Sequence, residues 1–160
     1  MSVLLEEKLL AQLETPCIVI DCAKAQENIC RMQAVADACH CKLRPHIKTH
    51  KMGLFAQMQI GAGAGGITCA KVSEAEIMAQ YGIKDIFIAY PMVGEFRIRR
   101  AIQLQKQIER LILAVDSVAG ATLLNRAAQA NGVILEVRME IDTGAKRTGI
   151  LMDAAVELAG

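Results

Sequence analysis

Apolar positions recur along this chain in two alternating rhythms. Short runs rich in Ile, Val and Leu give way to stretches whose apolar residues fall at helical spacing. PCIVID (16–21) predicts a strand and is followed by a helical pattern to about residue 38, with Ile29, Met32, Val35 and Ala36 on one face. KLRPHIK (42–48) predicts the next strand, and Leu54, Met58 and Gln59 the next helix. GITCAK (66–71) leads into SEAEIMAQYG, where Ser73 predicts an N-cap and Glu76, three residues on, completes a capping box. DIFIAY (85–90) leads through PMVG into a long helix ending near Ile108. RLILAVD (110–116) leads to a helix with Ser117 as cap and Gly132 as its C′ stop. VILEVRMEID (133–142) ends at TGAKRTG, and a last helix starts near Asp153.

Strand–helix alternation with short loops implies a parallel sheet, either an open doubly wound sheet or a (β/α)8 barrel. GAGAGG (61–66) precedes a strand rather than following one, so it reads as a turn and not as a nucleotide-binding loop. Side-chain parity favours the barrel. In KLRPHIK one face carries Leu43, Pro45 and Ile47, and the other Lys42, Arg44, His46 and Lys48. In VILEVRMEID one face carries Leu135, Val137, Met139 and Ile141, and the other Glu136, Arg138, Glu140 and Asp142. A strand covered by helices on both faces is apolar throughout. These two strands each need one polar environment, which a barrel interior supplies; two edge strands with a wet face would supply it too. Charges of opposite sign then predict that Lys42, Arg44 and Lys48 face Glu136, Glu140 and Asp142.

Composition narrows the function. With 18 Lys+Arg against 17 Asp+Glu, the net charge of +1 lacks the basic excess of a nucleic-acid binder. No apolar run approaches the length of a membrane span. MSVLLEEKLLAQ places Glu6, Glu7 and Lys8 inside its apolar stretch, which suits a short amphipathic helix and not a signal peptide. A cytoplasmic location is therefore expected, with six free thiols. Cys39-His40-Cys41, with Cys30 upstream, lacks the second ligand pair of a zinc site; partly buried cysteines around a helix end are expected instead.

Against that neutral background, LRPHIKTHK (43–51) holds five basic residues: Arg44, His46, Lys48, His50 and Lys51. Active groups of α/β folds gather at strand C-terminal ends, where Lys48 and, on a later strand, Asp142 and Arg147 are expected. A lysine among cations has chemistry available to it. Its neutral amine attacks aldehydes, and the surrounding positive field attracts a phosphorylated cofactor. Pyridoxal 5′-phosphate meets both demands. A solvated strand-end lysine is the other reading of the same residues.

TPCIVID, LRPHIKTHK, GITCAKVSEAE, DIFIAYPMVG and MEIDTGAKRTG, in this order, resemble the N-terminal part of the D-threonine aldolase and D-serine dehydratase family. These are pyridoxal-phosphate enzymes related to alanine racemase. The resemblance implies an α/β fold, a partial (β/α)8 barrel of the alanine racemase N-terminal type. Residues 1–22 would join a β domain, and 23–160 would form an incomplete barrel of five strands. It implies Lys48 as the Schiff-base lysine, Arg147 near the cofactor's phenolic oxygen, and His46, Thr49 and His50 in the cofactor surroundings. It also implies a lyase of D-3-hydroxy amino acids, an aldolase yielding glycine and an aldehyde. A dehydratase of D-serine or D-hydroxyaspartate, or a non-catalytic cofactor-binding protein, stays open. A homodimer is expected, with no nucleic-acid or membrane partner. A whole barrel takes about 250 residues. The last strands, the β domain and a divalent zinc or manganese site are thus expected outside these residues, and the 160-residue chain alone is expected to be inactive.

Overall fold

Two helices begin at side-chain caps that the sequence supplies. The computed structural model describes residues 11–159. Asp21 accepts from the Lys24 N–H at 3.0 Å and starts α1, Cys22–Ala38. Ser117 accepts from the Gly120 N–H at 3.2 Å and starts α5, Val118–Asn131, which stops at left-handed Gly132 as expected. Between them lie α2 (Gly53–Gly61), β1 (Ile67–Cys69), α3 (Val72–Gln80), β2 (Asp85–Pro91), α4 (Glu95–Gln105) and β3 (Arg110–Val115). β4 (Glu136–Met139) and α6 (Met152–Ala159) complete the order.

The four strands are parallel and lie in the order β1-β2-β3-β4. That order decides between the two predicted architectures. A doubly wound sheet reverses its strand order at a switch point, whereas consecutive order with helices on one face is an arc of a (β/α)8 barrel. Ile67, Ile86, Ile88, Leu111, Leu113 and Val115 point to the helices and form the core with Ala75, Met78, Ile98, Ala101, Ile102 and Leu124. The alternate residues Asp85, Phe87, Arg110, Glu136 and Arg138 lie on the other face, so the predicted parity of β4 holds.

Several expectations need correction. Residues 16–21 form no strand; Ile18 is 92% exposed, and a strand exists only where a neighbour takes up its N–H and C=O groups. The helix predicted over 1–12 lies almost wholly outside the described residues. Residues 42–48 join the sheet through one bridge, His46 to Thr68, not as a regular fifth strand, because Pro45 has no N–H to donate. Ser73 does not cap α3. Lys71 occupies the cap position, and Glu74 Oε2 accepts from the Ala70 N–H at 2.9 Å. On α1, Met32 and Val35 are each 56% exposed, while Gln33 and Ala36 are buried.

The interior charges pair differently from the prediction. Arg44 reaches Asp85 at 2.7 Å, Asp85 reaches Arg110 at 3.3 Å, and Arg110 reaches Glu136 at 2.6 Å. A belt of alternating sign thus crosses the N-terminal ends of the strands. Arg44 and Glu136 do not meet because β2 and β3 stand between them. Gly66 makes room for the belt: a Cβ there would lie 2.3 Å from Arg44 Nη1. The GAGAGG turn is therefore the seat of a guanidinium as well as a link.

Candidate active site

The proline that breaks the ladder also shapes the site. Pro45 O accepts from the Thr68 N–H at 2.7 Å, and one residue later the chain coils into a single 3-10 turn, Ile47–Thr49. Ile47 is fully buried and anchors the turn in the core. His46 Nδ1 accepts from the Lys48 N–H at 3.3 Å and caps it. Behind it, the Lys51 N–H donates to Ile47 O at 2.8 Å, and His50 Nδ1 accepts from the Met52 N–H at 3.1 Å. Lys48 therefore sits in a fixed turn, not at the end of a regular strand, and its side chain is exposed together with that of Thr49.

Both histidines accept at Nδ1, so their ring protons sit on Nε2. Burial, and then the charge of Lys48, hold His46 below the ordinary histidine value; Glu74 and a backbone contact to Thr68 oppose the shift. Burial likewise lowers His50. His50 Nε2 is buried and unpartnered, as is Gln59 Oε1, while the imidazole meets the Phe55 ring edge-on at 5.6 Å. Gln59 is near enough to favour the protonated ring without a formed hydrogen bond. Cys69, beneath the turn, is pushed up to about 12 by burial and then by Glu74, so its thiol stays protonated and is no nucleophile.

A second loop folds at the same end of the sheet, after β4. Asp142 Oδ1 accepts from the N–H groups of Gly144 at 2.9 Å and Lys146 at 3.0 Å, and those donors hold its carboxyl below the usual range. Thr148 donates to Glu140 at 2.5 Å, and the Gly149 N–H donates to Asp116 at 3.3 Å. Gly149 has φ +99°, and a Cβ there would lie 2.6 Å from Asp142 N, so no other residue lets the loop close. Arg147 is exposed on this loop.

Of the residues singled out from the sequence, His46, Lys48, Thr49 and His50 share one turn. Arg147 stands at the opposite edge of the four-strand sheet. Sequence reasoning missed Glu74, the one acidic side chain that is buried among the described residues. Its signal was present in SEAE, but the cap was placed two residues late. Cys30, Cys39 and Cys41 are exposed rather than partly buried. Among the described residues, no three His, Cys, Asp or Glu side chains gather to hold a metal ion, and no helix is long and apolar enough to cross a membrane.

Residues 20–160 match the family model of the alanine racemase N-terminal domain. The chain is 42% identical over 144 residues to a D-threo-3-hydroxyaspartate dehydratase of Delftia sp. (strain HT23), covering 90% of this chain and 38% of that protein. It is 37% identical over 147 residues to a D-threonine aldolase of Arthrobacter sp, covering 92% and 38%. The crystal structure of D-threonine aldolase from Filomicrobium marinum superposes with a TM-score of 0.89 at 35% identity, covering 93% of this chain and 40% of that one. The chain thus spans 38% of the length of each of these two curated relatives.

Proposed function

The chain belongs to the alanine racemase N-terminal domain family, and from that premise we propose that it carries the cofactor-anchoring part of a pyridoxal 5′-phosphate-dependent lyase of D-3-hydroxy amino acids. One observation carries the proposal: the Lys48 amine is presented from a turn fixed at both ends, amid His46, His50 and Lys51. The residues present fit the group. Lys48 offers an exposed amine to an aldehyde, with the Thr49 hydroxyl exposed beside it. Arg147 offers a guanidinium, which cannot lose its proton and acts as a fixed positive charge.

When bound, the cofactor supplies an aldehyde and a ring that takes up electron density as a substrate bond breaks. Lys48 would hold it through Nζ, and in its uncharged form the same nitrogen could take a proton from a substrate atom on its side. His46 and His50, lowered by burial, stay neutral near pH 7 and add no charge beside Lys48. Thr49 adds a hydroxyl beside Lys48. Arg147 would offer its guanidinium to an anionic oxygen of the cofactor. We place the protein in the cytoplasm as a homodimer, with a D-amino acid as its small-molecule partner.

Cleavage of Cα–Cβ to glycine and an aldehyde is the favoured reaction. Dehydration is the second reading, favoured by the 42% identity to the Delftia dehydratase. Incubation of the full-length, cofactor-loaded protein with D-threonine and with D-threo-3-hydroxyaspartate separates them. Glycine marks an aldolase; a keto acid with ammonia marks a dehydratase. Bound cofactor with neither product marks a carrier. Lys48→Ala should abolish the borohydride-fixable visible absorbance, and unchanged absorbance would overturn the proposal.

A further inference from the structure

The basic turn has a buried counter-charge that none of the roles above employs. Glu74 lies in the first turn of α3, 9% exposed, while Lys51, which it faces, is largely in solvent. A carboxylate leaves water only where charges or hydrogen bonds compensate it. Its two oxygens have separate duties. Oε2 accepts from the Ala70 N–H at 2.9 Å, closing the link between β1 and α3. Oε1 faces Lys51 Nζ at 3.8 Å, and the same charge favours the protonated form of His46.

These contacts complete a clamp. Ahead of the turn, Pro45 O and His46 are tied to Thr68 of β1. Behind it, Lys51 has the left-handed φ of +52°, a conformation that a non-glycine residue keeps only where its surroundings hold it. Lys51 is the residue that reaches Glu74. The backbone from His46 to Lys51 is thus held at its front by β1 and at its back by the helix that follows β1, with Lys48 between the two ties.

We propose that Glu74 is a positioning residue that fixes the Lys48 turn through Lys51 and supplies the buried negative charge that its histidine and lysines require. The inference rests on the reading of Lys48 as the cofactor's anchor. Glu74 touches no substrate; it acts through the turn.

The test uses Glu74→Gln, which keeps an oxygen for the Ala70 N–H and removes only the charge. The cofactor dissociation constant, from visible absorbance, should rise about tenfold, the equivalent of one modest lost charge contact. The His46 titration midpoint, followed by its imidazole NMR signal, should fall, because the carboxylate that opposes its lowering has gone. His46 is otherwise faced by Lys48 of its own turn and by the Thr68 backbone of β1. Lys51→Met should weaken cofactor binding by a similar factor, and the double variant no further, since both changes cut one tie. A Glu74→Gln protein that binds cofactor like the wild type, with an unmoved His46 midpoint, overturns the role of Glu74 and leaves Lys48 standing. A double variant that loses the product of the two single effects overturns the shared tie. A wild-type protein that takes up no cofactor overturns the reading of Lys48, and the role of Glu74 falls with it.

Discussion

The two ends of the sheet treat charge in opposite ways. At the N-terminal ends of the strands every belt member meets an opposite charge: Arg44, Asp85, Arg110 and Glu136 alternate in sign across the segment before β1 and strands β2 to β4. At the C-terminal end, His46, Lys48, His50 and Lys51 crowd one turn above a single buried carboxylate, with polar atoms of His50 and Gln59 buried and unpartnered. The first arrangement is complete within the strands and has little to offer a ligand. The second is cation-rich and open, which suits an anion with an aldehyde. Pairing interior charge at one end and leaving cations in excess around the Lys48 turn at the other separates stability from chemistry.

Reciprocal substitutions break that comparison most sharply. Lys48→Ala should remove all cofactor uptake and leave the melting temperature unchanged, as absorbance and calorimetry together would show. Asp85→Ala should do the reverse. Arg44, 17% exposed, loses its ion pair while Arg110 keeps Glu136, and unfolding titrations should report a loss of about 2 kcal/mol, less than for a fully buried pair because water reaches this one. Gly149→Ala should cost a similar 2 kcal/mol or so through the close approach to Asp142 and the positive φ, and should weaken cofactor binding by loosening the Arg147 loop.

Acid separates the two ends by window. Burial raises the Asp85 carboxyl, but the hydrogen bond and charge of Arg44, with Arg110, outweigh it and leave the folded value below the unfolded one. Its contribution is full above about pH 4 and lost as pH falls through the lower folded value. His50, lowered by burial, contributes fully above about pH 6.5 and loses that stability as pH falls from there toward its folded value. Asp85→Asn should therefore flatten the stability profile below pH 4, and His50→Asn the slope just under pH 6.5, in denaturant melts taken across that range. The smallest effect should come from Lys84→Ala. Its 2.7 Å pair with Glu109 is wholly at the surface, and replicate melts should not resolve the change.

Local chemistry was legible at several positions whose deciding partner lay nearby in sequence. Ser117 bonds three residues ahead, Gly132 needs only its own φ, and the strand–helix alternation records which faces are buried. The parity of VILEVRMEID was legible because alternation on a strand is a property of the backbone. Lys48 was legible because five basic nitrogen-bearing side chains in nine residues need an explanation in a chain of balanced charge. The same reasoning placed one cap at Ser73, since a Ser followed by Glu three positions on satisfies the pattern. Only the fold showed that Lys71 takes the cap position and Glu74 the reach-back.

The sequence by itself determined the strand–helix alternation of residues 66–142 and the polar and apolar faces of β4, and it singled out Lys48 by its basic neighbours, because these follow from spacing and residue type. Tertiary structure alone decided that residues 16–21 form no strand, that Arg44 meets Asp85 rather than Glu136, that Lys48 stands in a turn, and that Glu74 is buried beneath it. The reason is physical: a strand, an ion pair and a buried charge are each completed by a second segment, and which segment arrives is set by register and strand order, not by the local run of side chains.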